Sequence, residues 1–371
     1  MVVSRRTFLK NSAVAATGFS LLSSVGFAES ASKLSWIEAR YYTKLENDRV
    51  RCELCPWHCV VAPGKRGHCD VRANRDGVYY SLVYGRIASY HNDPIEKKPF
   101  FHFHPASQAL SVATAGCNVD CKFCQNWELA QRKPEDLPSY PLTTHEMVSL
   151  AKRWNSKSIA FTYNEPTVFA EYIHDIAETA RQSGIYSVVV SNGFINKKPL
   201  LDLCSVVDAY KIDLKAYTES YYRDVVGGRL APVLETLVTL KEQGIWFEIV
   251  YLMVPTLNDN TTDISKMVKW IVQELGPDVP LHFSRFYPKY KLTNLPPTPV
   301  KTLETARKIA MDGGLHFVYM GNVPGHEGEN TYCPNCGKTL IRRLGYQIYE
   351  NHIQKGCCAY CRHPIAGVWD D

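Results

Sequence analysis

Three cysteines within eight residues constrain this chain more than any other feature. Gly116–Trp127 reads G-C-N-V-D-C-K-F-C-Q-N-W, so Cys117, Cys121 and Cys124 form a C-x3-C-x2-C triplet directly after the apolar run Ala109–Ala115. Three thiolates can hold three irons of a four-iron four-sulfur (4Fe-4S) cluster, one cysteine per iron, which leaves the fourth iron without a protein ligand. An open coordination position separates reactive metal sites from closed structural ones, because an exogenous chelator can occupy it. The triplet falls on a strand-to-loop transition that opens a βα series, a place where chemistry is readily exposed.

The chain's 13 cysteines do not read as a disulfide framework. Twelve fall in three clusters, Cys52–Cys69, Cys117–Cys124 and Cys333–Cys361, and tight C-x2-C pairs inside such clusters suit metals better than bridges. In the first cluster, Cys52, Cys55, Cys59 and Cys69 offer four ligands, with Gly64 and Gly67 where the chain must turn. Four thiolates close either a tetrahedral zinc site or a second iron–sulfur cluster; a closed structural site is the expectation here. His58 and His68 are alternative ligands. The last cluster, Cys333-x2-Cys336 followed by Cys358-x2-Cys361, is a zinc-ribbon pattern, with Cys357, His352 and His363 as lesser candidates. Cys204 keeps helical spacing with Leu200 and Leu201 and reads as a buried structural thiol.

Between the outer clusters, strand and helix alternate at the rhythm of parallel βαβ units. Strands are expected at Ala109–Ala115, Ser158–Tyr163, Tyr186–Val190, Asp208–Leu214, Trp246–Val254, Pro280–Tyr287 and Leu315–Met320. Thr143-x-x-Glu146 is a capping box that opens a helix with Met147, Leu150, Ala151 and Trp154 on one face. Later helices run through Phe169–Ala180, Leu234–Leu240, Thr261–Leu275 and Thr302–Met311. Six or seven strands fall short of eight, so the fold class is α/β, an open, partial (β/α)6-type barrel. The expected divisions are an N-terminal cysteine-rich module at residues 33–105, a core at 106–322 and a zinc-ribbon-like module at 323–371. A short sheet near Tyr79 is expected to cover the barrel.

Parallel strands joined by right-handed crossovers bring their C-terminal ends to one face. That face should carry Glu165, Asn192, Asp213, Lys215 and Arg285 beside the cysteine triplet. By chemical fit, Glu165 accepts an ammonium group, Asp213 or Asn192 holds sugar hydroxyls, and Lys215 pairs with a carboxylate.

The triplet with Phe123 before its last cysteine resembles the signature of the radical S-adenosylmethionine (SAM) enzymes. The wider set G-C-N-V-D-C-K-F-C-Q-N-W-E, T-Y-N-E-P-T, S-N-G-F, K-I-D-L-K-A-Y and G-N-V-P-G-H-E-G-E-N-T-Y-C-P-N-C-G resembles the radical SAM member of the AmmeMemoRadiSam system. That group is similar to the activating enzymes of glycyl radical enzymes, such as pyruvate formate-lyase activase. The resemblance implies a cluster on Cys117, Cys121 and Cys124 whose open iron is chelated by SAM. It also implies reductive cleavage of SAM to a 5′-deoxyadenosyl radical that abstracts hydrogen from a substrate, a partner protein among the candidates. Glu165 then stands at the SAM amino group, and Asp213 and Lys215 match an Asp-x-Lys pair. Two departures bear on the chemistry: the activases' Asp-Thr-Asn-Gly reads Val190-Ser191-Asn192-Gly193, and an arginine before their V-V-P strand end is replaced by Val250. An electron donor such as flavodoxin or ferredoxin is implied. The contrasting class is an exported iron–sulfur carrier or metal-binding adaptor without catalysis.

Ser4-Arg5-Arg6-Thr7-Phe8-Leu9-Lys10 matches a twin-arginine export signal, so residues 1–30 read as a signal peptide and the periplasm as the destination. SAM and low-potential reductants are cytoplasmic supplies, which makes the cytoplasm the alternative. The apolar stretch Ala13–Phe27 is too short for a comfortable bilayer span. A formal charge of +5 with no block of like charges gives no phosphate-tracking surface, so no nucleic-acid partner is expected.

Overall fold

Seven apolar segments become parallel strands that wind in one direction, each beside its predecessor in the chain. The structure is a computed structural model and describes residues 36–370; the twin-arginine stretch lies outside the described residues. An antiparallel edge strand β1 (Ser89–Pro94) precedes them. The parallel set is β2 (Gln108–Ala113), β3 (Ser158–Phe161), β4 (Tyr186–Ser191), β5 (Ala209–Asp213), β6 (Trp246–Met253), β7 (Leu281–Arg285) and β8 (Val318–Gly321). The spatial order equals the chain order, and among the described residues no pairing joins β8 to β1, so the barrel is open. All seven expected strands form, one more than a (β/α)6-type barrel holds, and the added antiparallel strand makes the sheet mixed. The extra antiparallel strand comes from the segment assigned to the cysteine module. Its sequence S-Y-H-N-D-P lacks period-two apolar residues because an edge strand has one open side.

Helices α1 (Thr144–Arg153), α2 (Ala170–Arg181), α3 (Lys197–Cys204), α4 (Leu230–Glu242), α5 (Thr261–Trp270) and α6 (Val300–Asp312) make the crossovers. The capping box at the start of α1 forms as its sequence implies: Thr143 Oγ1 accepts from Glu146 N, and Glu146 Oε2 accepts from Thr143 N at 2.8 Å. Cys204 is buried at the end of α3. No helix among the described residues is long and apolar enough to cross a membrane.

The barrel's lower end is closed from inside. Ala109, Ala160 and Ala209 are small, and the room they leave is filled by Ile95, Phe100 and Phe103. Buried Glu248 on β6 accepts from the backbone N–H of Phe101 at 2.9 Å and of His102 at 2.8 Å, and lies 2.7 Å from His282 Nε2. Beneath that plug, Val368 and the 102–104 segment exchange backbone hydrogen bonds at 2.7 and 2.8 Å. Arg343 donates to Phe101 O at 2.9 Å. The C-terminal module, with antiparallel strands Thr331–Tyr332, Thr339–Leu344 and Gln347–Asn351, therefore seals the end opposite the strand C-termini.

The N-terminal module flanks the barrel. Its hairpin Arg72–Arg75/Val78–Ser81 turns at Asp76-Gly77, where both residues have positive φ. Arg72, fully buried, forks onto Glu171 of α2, and Tyr84 donates to Asp175 of the same helix at 2.6 Å. Two elements far apart in sequence are thus locked by charge-assisted bonds, the Arg72–Glu171 pair fully out of water.

Candidate active site

The ends of β2 to β6 surround a cavity of about 340 Å³ lined by the expected triplet and by Glu165, Asn192, Asp213 and Lys215. Asn164 fixes the loop's entry: its Nδ2 donates to Thr114 Oγ1 at 3.1 Å, Ala115 O at 3.2 Å and Gly116 O at 3.0 Å. Further along, Asp120 N and Lys122 N donate at 2.9 Å to the carbonyls of Val226 and Val225. Gly227 (φ +70) must lack a side chain there, because a Cβ would come within 3.1 Å of Asp120.

Burial raises all three thiols' pKa values, Cys121 to about 12, and the neighbouring Glu165 carboxylate adds to the rise at Cys117. Such a trio stays thiolate only if a cation joins it. The three sulfurs also do not crowd together as ligands of one ion would. Among the described residues, only two groups of three or more metal-ligating side chains have their donor atoms all within 4.8 Å of one another, and neither contains the triplet. Ligands of three separate irons in one cluster need no such crowding.

Glu165 is 2% exposed. Its Oε1 accepts from Thr167 N at 2.9 Å and Ser191 Oγ at 2.7 Å, and its Oε2 accepts from Asn192 N at 2.8 Å. No side-chain cation among the described residues pairs with it, and burial raises its pKa despite those donors. A ligand's ammonium group would supply the missing charge.

Asp213 sits between two lysines. Lys211 Nζ binds Oδ1, and Lys215 Nζ donates to Oδ2 at 3.1 Å. Burial would raise its pKa, yet the two ammonium groups bring it down to about 2. Lys215 uses one of its three donors here and lies 5.6 Å from the Phe123 ring. Asn192 is committed within the chain: Nδ2 donates to Asn118 Oδ1 at 2.9 Å, and Oδ1 accepts from Phe194 N at 2.8 Å. Arg285, expected on this rim, does not line the cavity; its Nε donates to Thr298 O at 2.8 Å. Val250 and Leu252 leave that wall apolar.

Lys211 was missed by the sequence reading, although a lysine inside the buried strand A-Y-K-I-D is itself a signal. So was a cluster at the sheet edge, where Asp93 on β1 accepts from Lys97 at 2.8 Å, Lys98 at 2.7 Å and Tyr163 at 2.5 Å. Burial lowers the Lys98 pKa to about 8. Tyr163 has φ +69, which ends β3 two residues earlier than its sequence suggests.

In the C-terminal module Cys333, Cys336, Cys358 and Cys361 converge, with sulfur–sulfur distances of 3.6 Å for Cys333–Cys361 and 3.8 Å for Cys336–Cys358. A tetrahedral ion with bonds of about 2.3 Å has edges of about 3.8 Å, so this quartet is a small metal-binding module. Cys357, His352 and His363 stand outside it.

The sequence model of the radical SAM superfamily matches residues 111–271. An uncharacterized protein of Methanocaldococcus jannaschii is 47% identical over 330 residues, 88% of this chain and 98% of that protein. The pyruvate formate-lyase 1-activating enzyme of Escherichia coli K12 is 22% identical over 256 residues, covering 64% of this chain and 99% of that enzyme. Among solved structures, a radical SAM methyltransferase from Sphaerobacter thermophilus aligns with a TM-score of 0.49 at 13% identity, over 81% of this chain and 84% of that one.

Proposed function

Since the chain belongs to the radical SAM superfamily, we propose that its cavity binds SAM on a 4Fe-4S cluster held by Cys117, Cys121 and Cys124 and uses it for hydrogen abstraction. The observation that carries this reading is a buried Glu165, without a salt-bridge partner among the described residues, lining one cavity with the three cysteines. When bound, the cluster supplies the electron that splits the sulfonium of SAM into methionine and the 5′-deoxyadenosyl radical.

The chain's own residues bind and orient. Glu165 Oε2 keeps a lone pair for the SAM ammonium, on a carboxylate already aligned by three donors. Lys215 has donors left for the SAM carboxylate, and Asp213, held by two lysines, presents its remaining lone pairs to ribose hydroxyls. Asn192 is a positioning residue: it ties β4 to the Asn118 that follows the first cysteine. Val250 and Leu252 keep water from the reacting carbon.

For the substrate we favour a partner protein, supported by similarity to a pyruvate formate-lyase activating enzyme; the likeness of the motifs to the AmmeMemoRadiSam group leaves the substrate open. A flavodoxin- or ferredoxin-type donor supplies the electron. The C-terminal quartet is read as a structural zinc site, and residues 1–30 as a twin-arginine signal. Fusing residues 1–30 to a reporter tests the latter: periplasmic signal lost on Arg5→Lys with Arg6→Lys supports it, and a cytoplasmic reporter with both arginines intact sinks it.

The central experiment is anaerobic cluster reconstitution with SAM and dithionite. Production of 5′-deoxyadenosine is expected even without substrate, and its loss in Cys121→Ala. A chain that only cycles its redox state would be a carrier rather than an enzyme.

A further inference from the structure

Two cysteine quartets in one chain have opposite geometry. At the C-terminal quartet the sulfurs stand at the spacing of a single tetrahedral ion, 3.6 and 3.8 Å in the two closest pairs. At the N-terminal quartet, no three of Cys52, Cys55, Cys59 and Cys69 bring their sulfurs within 4.8 Å of one another. All four nevertheless line one small cavity of about 10 Å³. Thiolates bound to four separate irons stand farther apart than the edge of a one-metal tetrahedron, so a quartet that shares one cavity without gathering as ligands of a single ion suits a cluster better than zinc.

The void also carries unpartnered donors. Tyr79 Oη and Arg72 Nε are buried without a hydrogen-bond partner, and both residues line it. A Cβ on Gly67 would lie 2.6 Å from Tyr79 Oη and 3.9 Å from Cys59 Sγ, which sets that hydroxyl beside the cysteines. Donors aimed at sulfur offset the negative charge of an iron–sulfur cluster and tune its potential. His58 turns away to Glu53, and His68 lies 3.0 Å from Asp120, so neither replaces a cysteine.

This void adjoins the active site. Asn118, the residue after Cys117, lines it, and Trp57 Nε1 donates to Asn118 O at 2.7 Å. Gly116 packs so closely that a Cβ would lie 2.8 Å from Cys69 O. We propose that Cys52, Cys55, Cys59 and Cys69 hold a second 4Fe-4S cluster, which relays electrons through the Asn118 contact to the Cys117–Cys124 site. The closed structural zinc expected from the spacing of these cysteines is thereby replaced. The relay rests on the function proposed above; the second cluster does not. One electron enters from a reduced ferredoxin- or flavodoxin-type carrier and passes between the sites without a proton. It ends in cleavage of the carbon–sulfur bond of SAM, giving methionine and the 5′-deoxyadenosyl radical.

The full-length C117A/C121A/C124A chain, reconstituted anaerobically with iron and sulfide, should retain about four irons and about four labile sulfides. Zinc without labile sulfide in that chain overturns the second cluster. If the variant does not fold, the wild type answers instead, with about eight sulfides expected and about four overturning the proposal. For the relay, Cys59→Ser should slow SAM cleavage driven by reduced flavodoxin at least tenfold while iron at the triplet stays; an unchanged rate overturns it. Should Cys59→Ser misfold, the reduced wild type gives the same reading by electron paramagnetic resonance. Mutual broadening of two cluster signals is expected, and two independent signals overturn the relay. Wild type that never cleaves SAM would refute the function but leave the sulfide count standing.

Discussion

The backbone N–H of Asn192 donates to Glu165 Oε2 at 2.8 Å, joining the ends of β3 and β4 directly above the cysteine loop. With Ser191 Oγ and Thr167 N on the other oxygen, the carboxylate is aligned but has no cation. Its geometry is set before any ligand arrives, so little reorganisation opposes binding.

Glu165→Gln keeps the size and removes the charge. Loss of a charge-assisted bond costs about 1.5–3 kcal/mol, so the dissociation constant for SAM should rise about tenfold or more. Calorimetric titration of the reconstituted protein measures it, with iron content unchanged. An unaltered constant would return Glu165 to a purely structural role.

Asn192→Ala separates two roles. If its amide serves the loop, as its bond to Asn118 Oδ1 implies, the cluster should be lost several-fold faster to a chelator. About 1 kcal/mol of loop ordering is at stake in cluster retention, whereas SAM affinity of the loaded protein should change less than about twofold, because the side chain is committed to Asn118 and Phe194. A large fall in affinity with a stable cluster would instead place the side chain on the ribose.

Gly116→Ala should destabilise the fold by about 2–4 kcal/mol, because φ is +89 and a Cβ would sit 2.5 Å from Val71 Cγ1. The backbone cannot yield without moving Cys69 or Cys117. A lowered melting temperature together with lowered iron content is expected, and wild-type stability would contradict this packing.

His102 makes the protein acid-sensitive. The ring is fully buried between Tyr319 Oη at 2.5 Å and Ala366 O at 2.6 Å, and burial lowers its pKa to about 4. Glu248 opposes that fall, while Arg343 and His282 add to it. An unfolded histidine titrates near 6.5, so between pH 6.5 and 4 the unfolded chain binds the extra proton. Stability present above pH 6.5 is therefore lost as pH falls through this window, by about 3 kcal/mol at most. Urea unfolding across pH should show the slope in wild type and its loss in His102→Gln. An identical slope in both would assign it to other groups.

Removing the C-terminal metal should loosen the closed end of the barrel rather than the active site. Cys333 and Cys358 share a core with Phe101, Phe317 and Tyr319. Cys358→Ser should lower both the content of the metal proposed at this quartet and the melting temperature, with SAM affinity within about twofold of wild type. A collapse of SAM affinity would mean that the two ends of the barrel are coupled.

Much of this protein is local and therefore legible in its sequence. The triplet's spacing, the strand–helix alternation, the Thr143–Glu146 capping box and the hairpin near Tyr79 each depend on residues a few positions apart. The sequence thus placed Glu165, Asp213 and Lys215 at one end of the sheet, since parallel strands bring their C-termini together.

Tertiary structure decided what depends on distances across the sheet. Lys211 meets Asp213, which also binds Lys215, because alternate residues of β5 and its extension share one side. Asn192 turns to Asn118 and Arg285 to Thr298 because neighbouring segments supply their partners. Ser89–Pro94 joined the barrel because an edge strand needs only one partner and no buried alternation. The two cysteine quartets show the limit most directly. The C-terminal quartet is two C-x2-C pairs and the N-terminal one opens with a single such pair, yet only the former gathers its sulfurs, at 3.6 and 3.8 Å in two pairs, as ligands of one ion. Spacing along the chain limits which thiols can meet, while the packing of distant segments decides whether they gather around one point.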